Sequence, residues 1–155
     1  MEKLKIIGGN RLSGAISCSG AKNAALPMLA ATILTDKPVT FKNLPYLQDI
    51  TTMFEILGSM GADITLNENM DFRISTANLH DFEARYELVK TMRASILVLG
   101  SLVARHGFAR IALPGGCAIG TRPVDFHLSA LEQLGARIEL KNGYIEASAK
   151  KLIGC

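Results

Sequence analysis

An internal repeat limits the architectures open to this chain more strongly than any other feature of its sequence. Residues 57–66 resemble residues 131–140, which lie 74 positions further along. In both segments an apolar helical pattern ends at a Gly-Ala pair, and an alternating apolar-polar pattern follows. This order is typical of a helix with a glycine C-cap and then a strand. Two copies of such a unit predict layers of helices packed against sheets.

Each copy is predicted to run helix, strand, helix and hairpin, which gives an α+β fold. The first helix, residues 22–34, is apolar nearly all round and is expected to be buried among other elements. The corresponding helix of the second copy has one apolar stripe, formed by Val89, Met92, Ile96, Leu99 and Val103. Residues 72–75 and 144–148 are predicted to be the last strands of the two hairpins, and Asn142-Gly143 is a strong hairpin signal. Residues 1–20 are predicted to form two strands outside the first copy.

The second copy is longer than the first at one place. Leu44 and Leu113 each precede a proline that closes a strand, and they lie 69 positions apart instead of 74, so five added residues fall within residues 115–123. This loop carries three glycines, Cys117 and Arg122. A neighbouring arginine would lower the pKa of the thiol towards a range useful for proton transfer. Two interpretations stay open, a catalytic loop or a hairpin-like loop with an incidental cysteine.

Two other places could bind an anion. Lys22 follows a strand-to-helix turn whose first amides lack intrahelical acceptors, although an ordinary helix start with a solvated lysine explains the same residues. Lys90 and Arg93 are expected on one face of a helix, where they form either an anion site or a solvated basic face.

Three more residues near the predicted helices have a structural explanation. His127 follows the cysteine loop, and a Cys117/His127 pair would suit acyl transfer. No orienting third residue is apparent, so a partly buried structural histidine is the preferred interpretation. Asp49 and Asp125 lie near helix starts, where capping is their expected role.

Composition argues against several classes of function. The formal net charge is only +3 and the basic residues are scattered, so no nucleic-acid partner is predicted. We expect neither a membrane span nor a signal peptide. Cys18, Cys117 and Cys155 lack the spacing of metal ligands, which favours a reducing cytoplasm and no bound metal.

Three segments carry a resemblance to a known family. Residues 19–27, residues 88–95 and the loop in residues 113–125 resemble the UDP-N-acetylglucosamine 1-carboxyvinyltransferases, which are enolpyruvyl transferases. The Gly-Gly-Cys run at 115–117 is the most specific, because the related enzymes of the shikimate pathway lack this cysteine. The resemblance implies an inside-out α/β barrel with three repeat units in each of two domains. Residues 1–20 would join the opposite, C-terminal domain, and residues 21–155 would form two of the three units of the first.

The resemblance also implies a reaction and a set of site residues. Family members transfer the enolpyruvyl group of phosphoenolpyruvate to the 3-hydroxyl of UDP-N-acetylglucosamine and release phosphate, the first committed step of peptidoglycan synthesis. The implied proton donor is Cys117, and the implied phosphoenolpyruvate site contains Lys22 and Asn23. The residues implied for UDP-N-acetylglucosamine are Arg93, Arg122, Pro123, Val124, Asp125 and Phe126. No metal or organic cofactor is needed.

The chain departs from this family in length. Members are well over twice as long, so we expect an N-terminal fragment that needs the missing C-terminal domain, has little or no turnover alone and is poorly soluble. Two other functions remain open: a non-catalytic remnant that binds nucleotide sugars, and a hydrolase that uses Cys117 and His127.

Overall fold

The computed structural model describes residues 3–113 and 124–155. The first copy consists of α1 (Lys22–Ala31) with a 3-10 turn (Thr32–Leu34), β1 (Val39–Phe41), α2 (Gln48–Ser59), β2 (Asp63–Leu66) and β3 (Phe72–Ser75). The second consists of β4 (Glu83–Ala84), α3 (Tyr86–Val89), a 3-10 turn (Arg93–Ile96), α4 (Leu97–His106), β5 (Phe108–Ala112), α5 (Asp125–Gln133), β6 (Arg137–Lys141) and β7 (Tyr144–Ser148).

The strands form two sheets with related orders. The first sheet has the order β1-β3-β2, and the second has the order β4-β5-β7-β6. All strand pairs are antiparallel except β4 with β5, which is parallel. In each sheet the second strand of the hairpin lies next to the strand that follows the first helix of the copy, β1 or β5. The α+β class and the helix–strand–helix–hairpin repeat are therefore confirmed.

The strand registers correct the alignment of the two copies by one residue. Val39 lies opposite Ile74, which is fully buried, so Val39 is on the core-facing side of the first sheet. In β5 the core-facing residues are Ala109 and Ile111. Because successive residues of a strand point to opposite faces, Val39 corresponds to Ala109 and not to Phe108. The offset between β1 and β5 is thus 70 positions, and four residues rather than five are added between β5 and α5.

The first helix of the second copy is interrupted, contrary to the prediction. All five residues of its apolar stripe are buried, as expected. However, α3 ends at Val89, and Met92 has an extended backbone with φ −145° and ψ 112°. The hydroxyls of Thr91 and Ser95 donate hydrogen bonds to the carbonyls of Leu88 and Met92, and such bonds compete with a regular helix. Lys90 and Arg93 therefore do not share one helix face.

Two predictions for the N-terminal third of the chain were also wrong. Residues 3–20 contain no strand, because no neighbouring strand in the described chain offers them hydrogen-bond partners. Their side chains are exposed, including Leu4, Leu12 and Ile16. Helix α1 is buried on one side only, and Met28 on its other side is 49% exposed. That residues 1–20 join an opposite domain stays a prediction.

The guanidinium group of Arg105, in the last turn of α4, links the two copies. Its Nη1 donates to the carbonyl oxygens of Ile33 and Thr35 at 2.8 Å each, and to that of Thr76 at 3.1 Å. The hydroxyl of Thr76 lies 2.8 Å from the carbonyl oxygen of Thr32 and is buried. One cation thus satisfies carbonyls at the end of the α1 region and just after β3, which helix and sheet leave without partners.

His106, next to this arginine, is held in an apolar setting. Its ring stacks on Phe82 with 4.5 Å between the ring centroids, and its Nε2 is buried without a hydrogen-bond partner in the described part of the chain. Burial and the neighbouring Arg105 lower the pKa of His106. The folded state therefore loses stability as pH falls below the unfolded value of 6.5 and the ring must be charged.

We expect Arg105→Ala to lower the free energy of unfolding by about 2–3 kcal/mol, because several carbonyls lose a charged donor. Urea denaturation of the 155-residue chain measures this value. Arg85→Ala is the control, since Arg85 is exposed and makes an ion pair with Asp81 at 3.5 Å, and its loss should cost less than about 0.5 kcal/mol. Equal losses for the two variants would contradict the linking role of Arg105.

Two glycines near the end of α2 should respond in opposite directions to substitution by alanine. Gly61 has φ +102°, and an added Cβ would lie 2.4 Å from Nδ1 of His80. Gly61→Ala should therefore cost at least about 1 kcal/mol. Gly58 lies within α2 with open space around its Cα, so Gly58→Ala should stabilise the chain by about 0.5–1 kcal/mol. Thermal denaturation of both variants tests this; stabilisation by Gly61→Ala would contradict it.

Candidate functional site at the helix starts

The start of α1 is fixed to the segment that follows β1. The amide of Gly20 donates to the carbonyl of Asn43 at 3.1 Å, and the side-chain amide of Asn43 donates to the carbonyl of Cys18 at 3.1 Å. A Cβ at Gly20 would lie 2.2 Å from the oxygen of Asn43, so this close approach requires glycine. The turn therefore places Lys22 and Asn23 at a defined position.

Lys22 pairs with a carboxylate that the sequence analysis assigned to a different role. Its Nζ lies 2.7 Å from Oδ2 of Asp49, in the first turn of α2. Helix α2 has no side-chain cap, so the expected capping hydrogen bond of Asp49 is absent and the carboxylate orients Lys22 instead. The side chain of Lys22 remains 44% exposed, and Asn23 is exposed as well. An ammonium group and uncapped first-turn amides thus lie together on an accessible surface, a combination suited to a phosphate or carboxylate.

Two segments that lead to predicted site residues leave the second sheet at the same end. Strands β4 and β5 run parallel, with Ala84 opposite Ile111. The segments that follow the two strands therefore leave the sheet at the same end. The segment after β4 leads through α3 to Arg93, which is half-buried at the first position of its 3-10 turn. The segment after β5 leads into residues 114–123. The amide of Leu113 donates to the carbonyl of Gly143 at 2.8 Å, which places the β6–β7 turn at this end of the sheet too.

Helix α5 carries the last predicted site residues. Val124 is half-buried against the core, Asp125 is exposed at the first helical position, and Phe126 is 85% exposed. The charge of Asp125 complements the helix dipole, but α5 has no side-chain cap, so the capping hydrogen bond predicted for it is absent. An exposed aromatic ring beside a helix start can stack on a flat ligand group.

His127 is exposed, so the expectation of a partly buried histidine was wrong. It lies at the rim of a mostly apolar recess of about 300 Å³ between α4 and α5. Cys117, Arg122 and Pro123 lie outside the described residues. Their predicted roles, and the alternative Cys117/His127 pair, stay predictions.

In the described ranges, residues 3–113 and 124–155, no three residues among His, Cys, Asp and Glu are grouped so that they could hold a metal ion. None of the helices there has the length and apolar character needed to cross a bilayer. Cys18 and Cys155 are exposed free thiols.

Comparison with known proteins agrees with the repeat architecture and extends over nearly the whole chain. The family model of EPSP synthase (3-phosphoshikimate 1-carboxyvinyltransferase) matches residues 6–153. The UDP-N-acetylglucosamine 1-carboxyvinyltransferase of Halorhodospira halophila (strain DSM 244 / SL1) is 57% identical over 154 residues. The match covers 99% of this chain and 37% of that protein, so the chain spans little more than a third of this relative's length.

Solved structures show the same fold. The enolpyruvyl transferase NikO from Streptomyces tendae superposes with a TM-score of 0.77 at 27% identity, over 96% of this chain and 32% of that one. EPSP synthase from Acinetobacter baumannii superposes with a TM-score of 0.67 at 16% identity, over 92% and 33% of the two chains, and supports the fold alone. With most of its sequence matched by the family model, the chain belongs to the EPSP synthase (3-phosphoshikimate 1-carboxyvinyltransferase) family.

Proposed function

We propose that this chain is part of an enzyme that transfers the enolpyruvyl group of phosphoenolpyruvate to the 3-hydroxyl of UDP-N-acetylglucosamine. The observation that carries this proposal is the 57% identity, over 99% of the chain, to a protein named for that reaction. The proposed setting is the cytoplasm, and the proposed role is the first committed step of peptidoglycan synthesis. Because the matched relative is much longer, we further propose that these 155 residues alone have little or no turnover.

The start of α1 is the proposed phosphoenolpyruvate site. Lys22 supplies a full positive charge, and Asn23 with the first-turn amides supplies neutral donors. Asp49 holds the ammonium group at 2.7 Å, which limits the rotamers of a long side chain before the substrate arrives. A phosphate or carboxylate placed there is stabilised by the lysine charge and by the positive end of the helix dipole.

The second group of residues is proposed to bind the nucleotide sugar. Arg93 and Arg122 would balance the diphosphate charge, since a guanidinium forms paired hydrogen bonds with phosphate oxygens. The start of α5 carries Val124, Asp125 and Phe126, and Pro123 directly precedes them in the sequence. The parallel β4–β5 pair supports this grouping. The segment that leads to Arg93 and the segment that leads to α5 leave the sheet at the same end.

The proposed reaction is an addition followed by an elimination. Cys117 donates a proton to C3 of phosphoenolpyruvate, and C2 becomes electrophilic. The 3-hydroxyl of the sugar adds to C2 and loses its proton to a carboxylate outside these 155 residues. Loss of a proton from C3 and departure of phosphate then restore the double bond, and nothing is oxidised or reduced. Cationic groups around the substrate would stabilise the charge that develops during addition.

Two other functions predict different results. A non-catalytic remnant would bind UDP-N-acetylglucosamine and give no product even when the missing part of the protein is supplied. A hydrolase using Cys117 and His127 would form an acyl-enzyme with ester substrates and would be indifferent to phosphoenolpyruvate. Product formation from both substrates by the completed protein distinguishes the transferase from each of these.

Cys117→Ala should slow product formation by about 100-fold or more, because a general acid is lost. The variant is made in a chimera in which this chain continues into the remaining sequence of the Halorhodospira halophila relative, and phosphate release is measured. Cys18→Ala is the control and should keep the parent rate, since Cys18 is an exposed free thiol. A phosphoenolpyruvate-mimicking epoxide should alkylate Cys117 first. An unchanged rate in Cys117→Ala would refute the assignment.

In the same chimera, Lys22→Gln should raise the KM for phosphoenolpyruvate by about tenfold or more, because a charged hydrogen bond to the substrate is lost. The KM for UDP-N-acetylglucosamine should change much less. Lys37→Gln is the matched control: Lys37 is also an exposed lysine near a carboxylate, Asp36 at 3.8 Å, but it lies beyond the far end of α1. An equal rise of both KM values in Lys22→Gln would contradict the assignment of Lys22 to phosphoenolpyruvate.

A further inference from the structure

The chain that leads to the proposed proton donor is bonded to the turn of the neighbouring hairpin. Strand β5 ends at Ala112, and the amide of the next residue, Leu113, donates to the carbonyl of Gly143 at 2.8 Å. Cys117 follows Leu113 by four positions in the sequence. The bond extends the β5–β7 pairing by one step, up to the last described residue before the cysteine loop.

The β6–β7 turn holds the Gly143 carbonyl in a defined position. Only Asn142 and Gly143 lie between the two strands, with φ of 51° and 79°. A two-residue turn with two positive φ angles matches the twist of the flanking strands and fixes the register of the hairpin. The carbonyl that accepts from Leu113 is therefore set by the hairpin itself.

Side chains on the outer face of the second sheet hold both flanks of this turn. On one flank, Cζ of Arg110 lies 3.9 Å from the ring centroid of Tyr144, and Nε of Arg110 lies 3.3 Å from Oε1 of Glu146. On the other flank, Lys141 pairs with Glu139 and, at 3.4 Å, with Glu146. Glu139 and Glu146 are directly opposite in the strand register, so Lys141 relieves a repulsion between like charges.

The corresponding turn of the first copy makes no such contact. It has five residues, 67–71, and closes on itself: the amide of Asn67 donates to the carbonyl of Asp71, and the amide of Asp71 donates to Oδ1 of Asn67. Among the described residues, no hydrogen bond joins this turn to residues 42–47 after β1. The hairpin turn thus supports the following loop only in the copy that carries the added residues.

We propose that the β6–β7 turn positions the proposed proton donor, with Gly143 as the positioning residue. The inference rests on the proposed function, because it assigns the turn to the step in which Cys117 protonates C3 of phosphoenolpyruvate. A displacement of about 1 Å in a reacting group can lower a rate by about 100-fold. The residues proposed to bind the two substrates lie on other elements. The turn should therefore affect kcat much more than either KM.

One inserted glycine tests this role in the chimera with the Halorhodospira halophila relative. A glycine inserted between Asn142 and Gly143 makes a three-residue turn and changes the position of the Gly143 carbonyl. We expect kcat to fall by about tenfold or more and both KM values to change by less than about twofold. The control is a glycine inserted between Glu68 and Asn69, in the turn of the first copy, which should keep the parent kcat.

Hydrogen exchange tests the contact without turnover, in the 155-residue chain. The amide of Leu113 should be protected in the parent and should exchange at least about 50-fold faster after the insertion beside Gly143. The amide of Arg110 is the internal control, because it donates to the carbonyl of Phe82 at 2.9 Å and should stay protected in both proteins. Loss of protection at Arg110 as well would show that β5 unfolds, which would contradict a local role of the turn.

A pair of substitutions tests the same role with the length of the turn unchanged. Tyr144→Leu removes the ring that stacks on Arg110, whereas Tyr144→Phe keeps it. In the chimera Tyr144→Leu should lower kcat by about threefold or more, and in the 155-residue chain it should speed exchange at Leu113. Tyr144→Phe should restore the parent values of both quantities.

Different results would overturn the inference and the proposed function. Rapid exchange at Leu113 in the parent chain would show that the contact does not hold the loop. A parent kcat in the Gly143 insertion variant, or equal behaviour of Tyr144→Leu and Tyr144→Phe, would refute the positioning role alone. A parent chimera that forms no product would instead refute the proposed function.

Discussion

The guanidinium group of Arg105 lies where the two repeat copies meet, and it is bonded to carbonyls that neither helix nor sheet can satisfy. It reaches from α4 of the second copy to Ile33, Thr35 and Thr76 of the first. These carbonyls belong to the end of the α1 region and to the residue that follows β3. One cation therefore fixes α4 against the helix and the sheet of the other copy, and the apolar contacts between copies form around this arrangement.

The proposed binding residues depend on the same frame, because they occupy the starts of helices that pack one face against the core. Lys22 begins α1, and its partner Asp49 lies in the first turn of α2. In the second copy Arg93 begins the 3-10 turn before α4, and Asp125 begins α5. Helix starts offer unpaired amides and a positive dipole end, so a repeat that aligns several of them suits ligands with several negative charges. For binding such ligands, the net charge of the chain matters less than the placement of these helix starts.

The two copies differ most where function is proposed. The second copy has added residues in the loop that contains Cys117, and among the described residues the first copy has no counterpart of β4. Elsewhere the copies keep the same sheet order around their hairpins. A repeat can accept such changes because its core contacts are set by helix faces and strand alternation, while loops and strand edges lie outside them. One difference carries the cysteine proposed as proton donor, and the other leaves one edge of β1 without a neighbouring strand among the described residues.

The sequence by itself determined the elements that depend on local signals. Both hairpins, the buried stripe of the second copy and the glycine turns after α2 and α5 follow from alternation, helical spacing and positive φ, here at Gly61 and Gly135. Only the tertiary structure decided the partners of Lys22 and Arg105, the break between α3 and α4, and which side of α1 is exposed. Those features depend on residues far apart in the chain, which become neighbours only after the helices and sheets have packed. No local sequence pattern indicates which distant residues will meet.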